Sequence, residues 1–135
     1  MVTGNTISKP LPGFSALNIQ SVSAVDPVTT GIAQLSRVFH LYNPQRISAF
    51  LYEARDLVSI LFEAHRRLCT YFPDSPLALD VFDDPEDGST ELVINILTNN
   101  EPEEARMDLD AFIEDWWRSL HTQVKGRLGV RIEYQ

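Results

Sequence analysis

The sequence of 135 residues has a single cysteine, few glycines and no long apolar run. One cysteine cannot form an intramolecular disulfide, so a disulfide-stabilised secreted fold is excluded. A membrane-spanning helix needs about 20 consecutive apolar residues, and Arg, Glu or Asp interrupts every apolar run here before that length. The first thirty residues also lack the basic segment and apolar run of a secretory signal peptide. We therefore expect a cytoplasmic protein that is not inserted in a membrane.

Basic side chains are also scarce. Lys and Arg number 11 against 19 Asp and Glu, which gives a net charge of -8. Such a charge repels a polyanion, so no nucleic-acid partner is expected. The length corresponds to about one domain, and a chain of this size buries enough surface to fold without a disulfide or a metal.

The acidic residues are concentrated in one part of the chain. Residues 80–115 contain thirteen acids and only one base, Arg106, for a net charge of -12. Because the whole chain carries -8, the remaining residues together carry +4. This asymmetry is typical of an acidic surface that binds a basic protein, or of copies that meet through opposite charges. An ordinary solvated acidic face explains the same pattern.

The N-terminal half predicts an arm and two helices. Residues 1–25 are expected to form an N-terminal arm or edge strand, with the strand at 17–25, and residues 26–135 a single α+β domain. Asp26-Pro27 and Asn43-Pro44 are helix-start signals, because the Asp or Asn side chain caps free N–H groups and proline needs no donor there. The first helix is expected to reach Tyr42, and the second to continue to Phe72.

The C-terminal half predicts three strands and one helix. Residues 77–82 and 91–98 read as a β-hairpin around an acidic loop that contains Gly88. A helix capped by Asn100 follows and extends to about His121, and residues 128–134 alternate as a half-buried strand. The expected fold class is α+β, with two N-terminal helices, then strand, strand, helix and strand, and the helices packed on one face of a small sheet.

Several short motifs follow one another in a fixed order from Leu61 to the C-terminus. They are the helix 61–68 before Phe72-Pro73, the acidic hairpin turn, the helix start 102–105, the pair Trp116-Trp117 and the strand entry 125–128. In this order they resemble a group of small bacterial proteins whose function is unknown, over a little more than half of the chain. The resemblance implies the α+β fold and no reaction. Some relatives look to be encoded beside another small protein in toxin–antitoxin style, which implies a protein partner.

The sequence contains no recognised motif for catalysis or cofactor binding. The three histidines fall on three different predicted helices, and the acidic loop would place proline and isoleucine at ligand positions of a calcium loop. Phosphate-binding and nucleophile-elbow motifs are missing. We therefore expect no catalytic, metal or cofactor site. His65 is expected to be a core histidine and Cys69 a small buried side chain. Trp116 and Trp117 are both expected to pack in the core, with contact of one of them with a partner or ligand as the alternative, because adjacent helical residues point about 100° apart.

The predicted sheet has a half-apolar second face. If Leu79, Ile94 and Ile132 face the helices, alternation puts a mixed set of side chains on the opposite face. Monomers tend not to expose such a patch, so either the N-terminal segment folds over it or another chain does; of these we expect a homo-oligomer. The candidate self-association residues are Phe82, Val93, Leu97 and Arg131, beside Asp80, Asn95 and Glu133.

Two hypotheses of function follow from these patterns. The first is a non-catalytic, oligomerising interaction module, similar to an antitoxin or an immunity protein, whose acidic surface Asp83, Asp84, Glu86 and Asp87 binds a basic protein partner. The second is a small enzyme or ligand-binding protein with a pocket between the long helix and the sheet. The polar groups of that pocket would be Glu63, His65 and Asp80.

Overall fold

A computed structural model of the chain describes residues 27–135. The chain divides into two units between Thr30 and Gly31, and every contact discussed below lies within residues 31–135. The predicted N-terminal arm and its strand at 17–25 lie outside the described residues.

The fold class is α+β, as predicted. Within residues 27–135, four strands form one mixed sheet, in which the neighbouring strands follow the order of the chain. A 3₁₀ turn at Trp117–Leu120 separates the last two helices. The helices are α1 (Pro27–Leu35), α2 (Pro44–Glu53), α3 (Leu57–Tyr71), α4 (Pro102–Asp115) and α5 (His121–Val124), and the strands are β1 (His40–Leu41), β2 (Leu77–Asp83), β3 (Thr90–Thr98) and β4 (Leu128–Tyr134).

The register of the sheet fixes its two faces. The strand β2 pairs in parallel with β1 and antiparallel with β3, and β3 pairs in parallel with β4. Leu79, Ile94 and Val130 lie in one row across β2, β3 and β4. Successive side chains alternate between faces, so these residues define one face, here called the inner face.

Apolar side chains of the helices and of the inner face form the core, and the helices pack on this one face. Burying a side chain of this size contributes about 1.5–3 kcal/mol. The hydrophobic effect therefore accounts for the position of the helices. Fully buried members of this core are Ile47, Leu51, Leu57, Leu61, Leu68, Leu79, Ile94, Ile96 and Phe112.

In place of one long helix from Asn43 to Phe72, the chain forms α2 and α3. Asn43 caps α2 as predicted, since its Oδ1 accepts a hydrogen bond from the Arg46 N–H. Ala54 ends α2 with φ -139° and ψ 59°, outside the helical region. Apolar side chains on both sides of the break are buried, so periodicity does not reveal it.

The segment before α2 also differs from its predicted form. The helix expected to reach Tyr42 ends at Leu35, and the two residues of β1 then pair with Ala78 and Leu79. A strand this short has no alternation pattern to recognise.

The predicted C-terminal helix is interrupted as well. Trp116 follows α4 with φ -149°, and the chain continues through the 3₁₀ turn into α5. Asn100 is not the cap: Glu101 occupies that position, and the Asn100 N–H donates to Thr98 Oγ1 at 3.0 Å. The hairpin and β4 lie where they are predicted. No helix in the described range combines the length and apolarity needed to cross a bilayer.

Candidate functional site

The second face of the sheet, here called the outer face, brings the four candidate self-association residues together. Phe82 pairs with Glu91, and Val93 lies between Asp80 and Gly129. The placement follows the predicted alternation, whereas the role in self-association stays a prediction. Across β2, β3 and β4 this face comprises Ala78, Asp80, Phe82, Glu91, Val93, Asn95, Leu97, Gly129, Arg131 and Glu133.

These residues differ in how much of each side chain is exposed to a partner. Phe82 is 43% exposed, and the guanidinium carbon of Arg131 lies 6.0 Å from its ring centre. Arg131 is exposed and Leu97 is half-buried. Val93 is only 5% exposed, so it belongs to the interior of the chain. Phe82 and Arg131 are therefore the most accessible of the four candidate self-association residues.

A buried polar group lies beside Arg131. Asn95 is fully buried, and its Oδ1 accepts a hydrogen bond from Arg131 Nε at 2.7 Å. This bond fixes the orientation of the amide, because only the oxygen can accept. The Asn95 Nδ2 donor is buried and has no acceptor in the described part of the chain. A buried donor left without an acceptor costs about 1–3 kcal/mol.

Tyr42 is a member of the outer face that the sequence did not predict. Its backbone N–H donates to the Leu79 carbonyl oxygen at 3.1 Å, which extends the pairing of β1 by one residue. Its side chain is 41% exposed. Burial, followed by the negative charges of Glu133 and Asp80, raises the pKa of the Tyr42 phenol. Since β1 was not predicted, no sequence signal placed Tyr42 here.

The acidic loop of the hairpin, residues 83–89, is held by its own carboxylates. Asp83 Oδ1 accepts from Arg46 at 2.9 Å and from the Thr90 hydroxyl at 3.0 Å. Asp84 and Asp87 accept the backbone N–H groups two residues further on, at 2.8 Å each. Gly88 has φ +74°, as its place in the loop predicts. Three of the four candidate acids thus stabilise the conformation of the loop and also contribute to its negative charge.

These hydrogen bonds favour the ionised form of the loop acids. The Arg46 guanidinium, followed by the Thr90 hydroxyl, holds the pKa of Asp83 below its usual value. The pKa of Asp87 is lowered by hydrogen bonds from Ser89. The loop therefore remains negatively charged near neutral pH.

The alternative pocket residues are not brought to one site. Glu63 lies on α3 and pairs with Arg66 and with Arg67, the latter at 2.6 Å. His65 packs edge-on against Phe39, with ring centres 5.6 Å apart. Asp80 lies on the outer face, away from the helices.

His65 and Cys69 lie one helical turn apart on α3. His65 is half-buried, and burial lowers the pKa of its imidazole. Cys69 is exposed, with its Sγ 3.5 Å from His65 Nε2, so the expectation of a buried, unpaired thiol is wrong. Cys69 lies at the edge of the apolar stripe of α3, where residue spacing alone does not distinguish a buried side chain from an exposed one.

The paired tryptophans belong to an aromatic cluster around Phe112. Their rings lie 6.0 Å and 5.7 Å from the Phe112 ring, and both side chains are half-buried. The Arg67 guanidinium stacks over Trp116 at 4.8 Å. Neither ring is fully buried, so the expected packing of both in the core is only partial. The chain leaves helical geometry here, because α4 ends at Asp115 and Trp116 has φ -149°.

Two further observations concern metal binding and similarity to known proteins. Within residues 27–135, no group of three or more His, Cys, Asp or Glu side chains is arranged to hold a metal ion. Comparisons of the chain with family models, curated proteins and solved structures found no match.

Proposed function

We propose that the protein is a non-catalytic, self-associating interaction module, and that a second copy of the chain binds its outer face. The observation that carries this proposal is the exposure of Phe82 on a sheet face, next to the Arg131 guanidinium. Burying an aromatic ring of this kind is the largest contribution that one side chain of this face can make to an interface.

The charges of the outer face support a symmetric contact. A two-fold dimer brings the same patch of both copies together, so the patch must complement itself. Arg131 is basic, whereas Asp80 and Glu133 are acidic, and all three lie on this face. Opposite charges of the two copies can therefore pair around the Phe82 rings.

The hydrogen bond between Arg131 and Asn95 adds to this argument. Arg131 donates its Nε–H to Asn95 Oδ1, which holds the guanidinium on the outer face. The other guanidinium N–H groups can donate to a further acceptor. Contact with a second copy would bring carboxylates to these N–H groups, because the Arg131 side chain is exposed.

The acidic loop is the second surface in this proposal, and its partner is a basic protein. Its carboxylates are held in place and ionised by Arg46, Thr90 and Ser89. Surface charges of this type mainly accelerate the encounter of two proteins. A role in the cytoplasm, similar to that of an antitoxin or an immunity protein, would combine self-association with such a partner.

The test removes the Phe82 ring and measures mass by light scattering. Phe82→Ser should shift the protein towards the monomer, because the central apolar contact is lost. Tyr52→Ser is the matched control, since Tyr52 lies on α2 and is 41% exposed. Circular dichroism checks that both variants fold.

A folded Phe82→Ser variant with the same mass as the wild type would refute the outer face as the interface. Loss of the oligomer in both variants would also refute it, because the effect would not be specific to this face.

A further inference from the structure

A groove lies between α4 and the end of β4, apart from the outer face and from the acidic loop. It encloses about 530 Å³. Two large apolar side chains line it: Met107, which is 67% exposed, and Tyr134, which is 50% exposed. The two residues come from separate elements, so the fold, and not one local stretch of sequence, creates the groove.

The helical wall of the groove has a regular pattern. Glu103, Arg106, Met107 and Asp110 follow the spacing i, i+3, i+4 and i+7, which places them on one side of a helix. The two carboxylates are separated by seven residues, or about 10 Å along the axis. Met107 thus lies between two negative charges, and Arg106 is the one base that lines the groove.

We propose that this groove binds a segment of another protein in which large apolar side chains lie between two Lys or Arg residues. The apolar side chains would contact Met107 and Tyr134, and the basic groups would approach Glu103 and Asp110. Methionine suits such a contact because its side chain is flexible and polarizable.

The charge of the helix selects this class of partner. On α4, Glu103, Glu104, Asp108 and Asp110 outnumber Arg106. An acidic segment would be repelled here, and an uncharged one would gain no electrostatic attraction. In an extended segment, residues four positions apart point to the same side and lie about 13 Å apart, a span that the flexible Lys and Arg side chains can adjust to the separation of the two carboxylates.

The proposed site requires neither self-association nor the acidic loop, so it is tested separately from both. The probe is an acetylated and amidated peptide, Gly-Lys-Leu-Leu-Leu-Lys-Gly, in which both Lys and the middle Leu lie on one side when it is extended, titrated into the full chain. The sequence contains two methionines, Met1 and Met107. A ¹³C-methyl methionine label therefore gives two NMR signals, which a Met107→Leu variant assigns.

We expect the Met107 methyl signal to shift saturably with the peptide, and the shift to weaken as salt is added. Two control peptides separate the contributions: one has Glu in place of Lys and the other has Ala in place of Leu. Both should bind at least about tenfold more weakly, which corresponds to about 1.4 kcal/mol. The Glu103→Gln, Asp110→Asn double variant should show a similar loss for the original peptide.

Three results would overturn the proposal. The first is a Met107 signal that does not respond to the peptide. The second is equal binding of the Glu-containing peptide, which would remove the argument from charge. The third is a Met107 shift that depends on protein concentration without peptide, which would make a second copy of the chain the occupant. Phe82→Ser serves as a variant that should leave peptide binding unchanged.

Discussion

At the scale of single residues, one ion pair joins distant parts of the chain. Arg127 donates two hydrogen bonds to Asp56, at 2.9 Å and 2.7 Å, although 71 residues separate the two. Arg127 also donates to the Gln123 carbonyl oxygen at 2.6 Å. Asp56 lies directly before α3, so this pair ties the break between α2 and α3 to the segment that leads into β4. No local pattern in the sequence predicts a pair of this separation.

The Asp56 carboxylate should contribute to stability in a pH-dependent way. Hydrogen bonds from Arg127 lower its pKa from 3.8 to about 2. A lowered pKa means that the stabilisation is present above pH 3.8 and is lost as the pH falls through about 2. Because the side chain is 47% exposed, solvent reduces the effect, and we expect Asp56→Asn to cost about 1 kcal/mol at pH 7.

Urea unfolding measures this difference at pH 7 and at pH 2. The gap between the wild type and Asp56→Asn should shrink at the lower pH. Asp74→Asn is the control in an exposed turn, where about 0.5 kcal/mol or less is expected. A gap that is the same at both pH values would show that the charge of Asp56 is not what stabilises the fold.

Cys69 provides a second prediction at this scale. The thiol is exposed in the folded chain, so Ellman's reagent should titrate one thiol per chain without denaturant. Reaction that begins only after urea is added would mean that the side chain is buried, as the sequence pattern first indicated.

At the scale of elements, alternation and capping predicted the hairpin, β4 and the start of α2. These signals are local, since they depend on residues within a few positions of each other. The break at Ala54, the strand β1 and the bend at Trp116 were missed, because they depend on contacts between distant residues. The outer face was predictable from alternation for β2, β3 and β4, whereas Tyr42 was not, since it requires β1.

The hairpin loop offers a test of backbone strain. Gly88 has φ +74°, and a Cβ at this position would meet no atom within 4 Å. The cost of Gly88→Ala should therefore come from the backbone alone, at about 1 kcal/mol. Gly88→Asn should cost less, because Asn tolerates this region better. Thermal or urea unfolding compares the stability of the two variants. Equal losses of stability would mean that the cost does not come from the positive φ of the backbone.

At the scale of the whole molecule, the acidic segment is not one surface. The acidic loop precedes β3 and α4 begins after it, so nine residues of strand, about 26 Å along its length, separate the loop from the first turn of α4. The end of α4 returns towards the start of β3, where Ile113 and Glu91 line one cavity. Several of these acids are also paired: Asp83 with Arg46, Glu114 with Arg118, and Asp115 with the Tyr71 hydroxyl. A charge run in the sequence therefore places acids in the loop and, about a strand length away, at the start of α4, and each of these two regions has its own proposed partner.

The central claim is that the chain self-associates through the outer face, and sedimentation equilibrium of the wild type tests it most directly. Measured from micromolar to hundred-micromolar concentrations, the mass should rise from that of one chain, 15.3 kDa, towards twice that value. An association that depends on the Phe82 contact should also persist at high salt, because burial of an apolar ring is not screened. A mass of 15.3 kDa at every concentration would contradict the account.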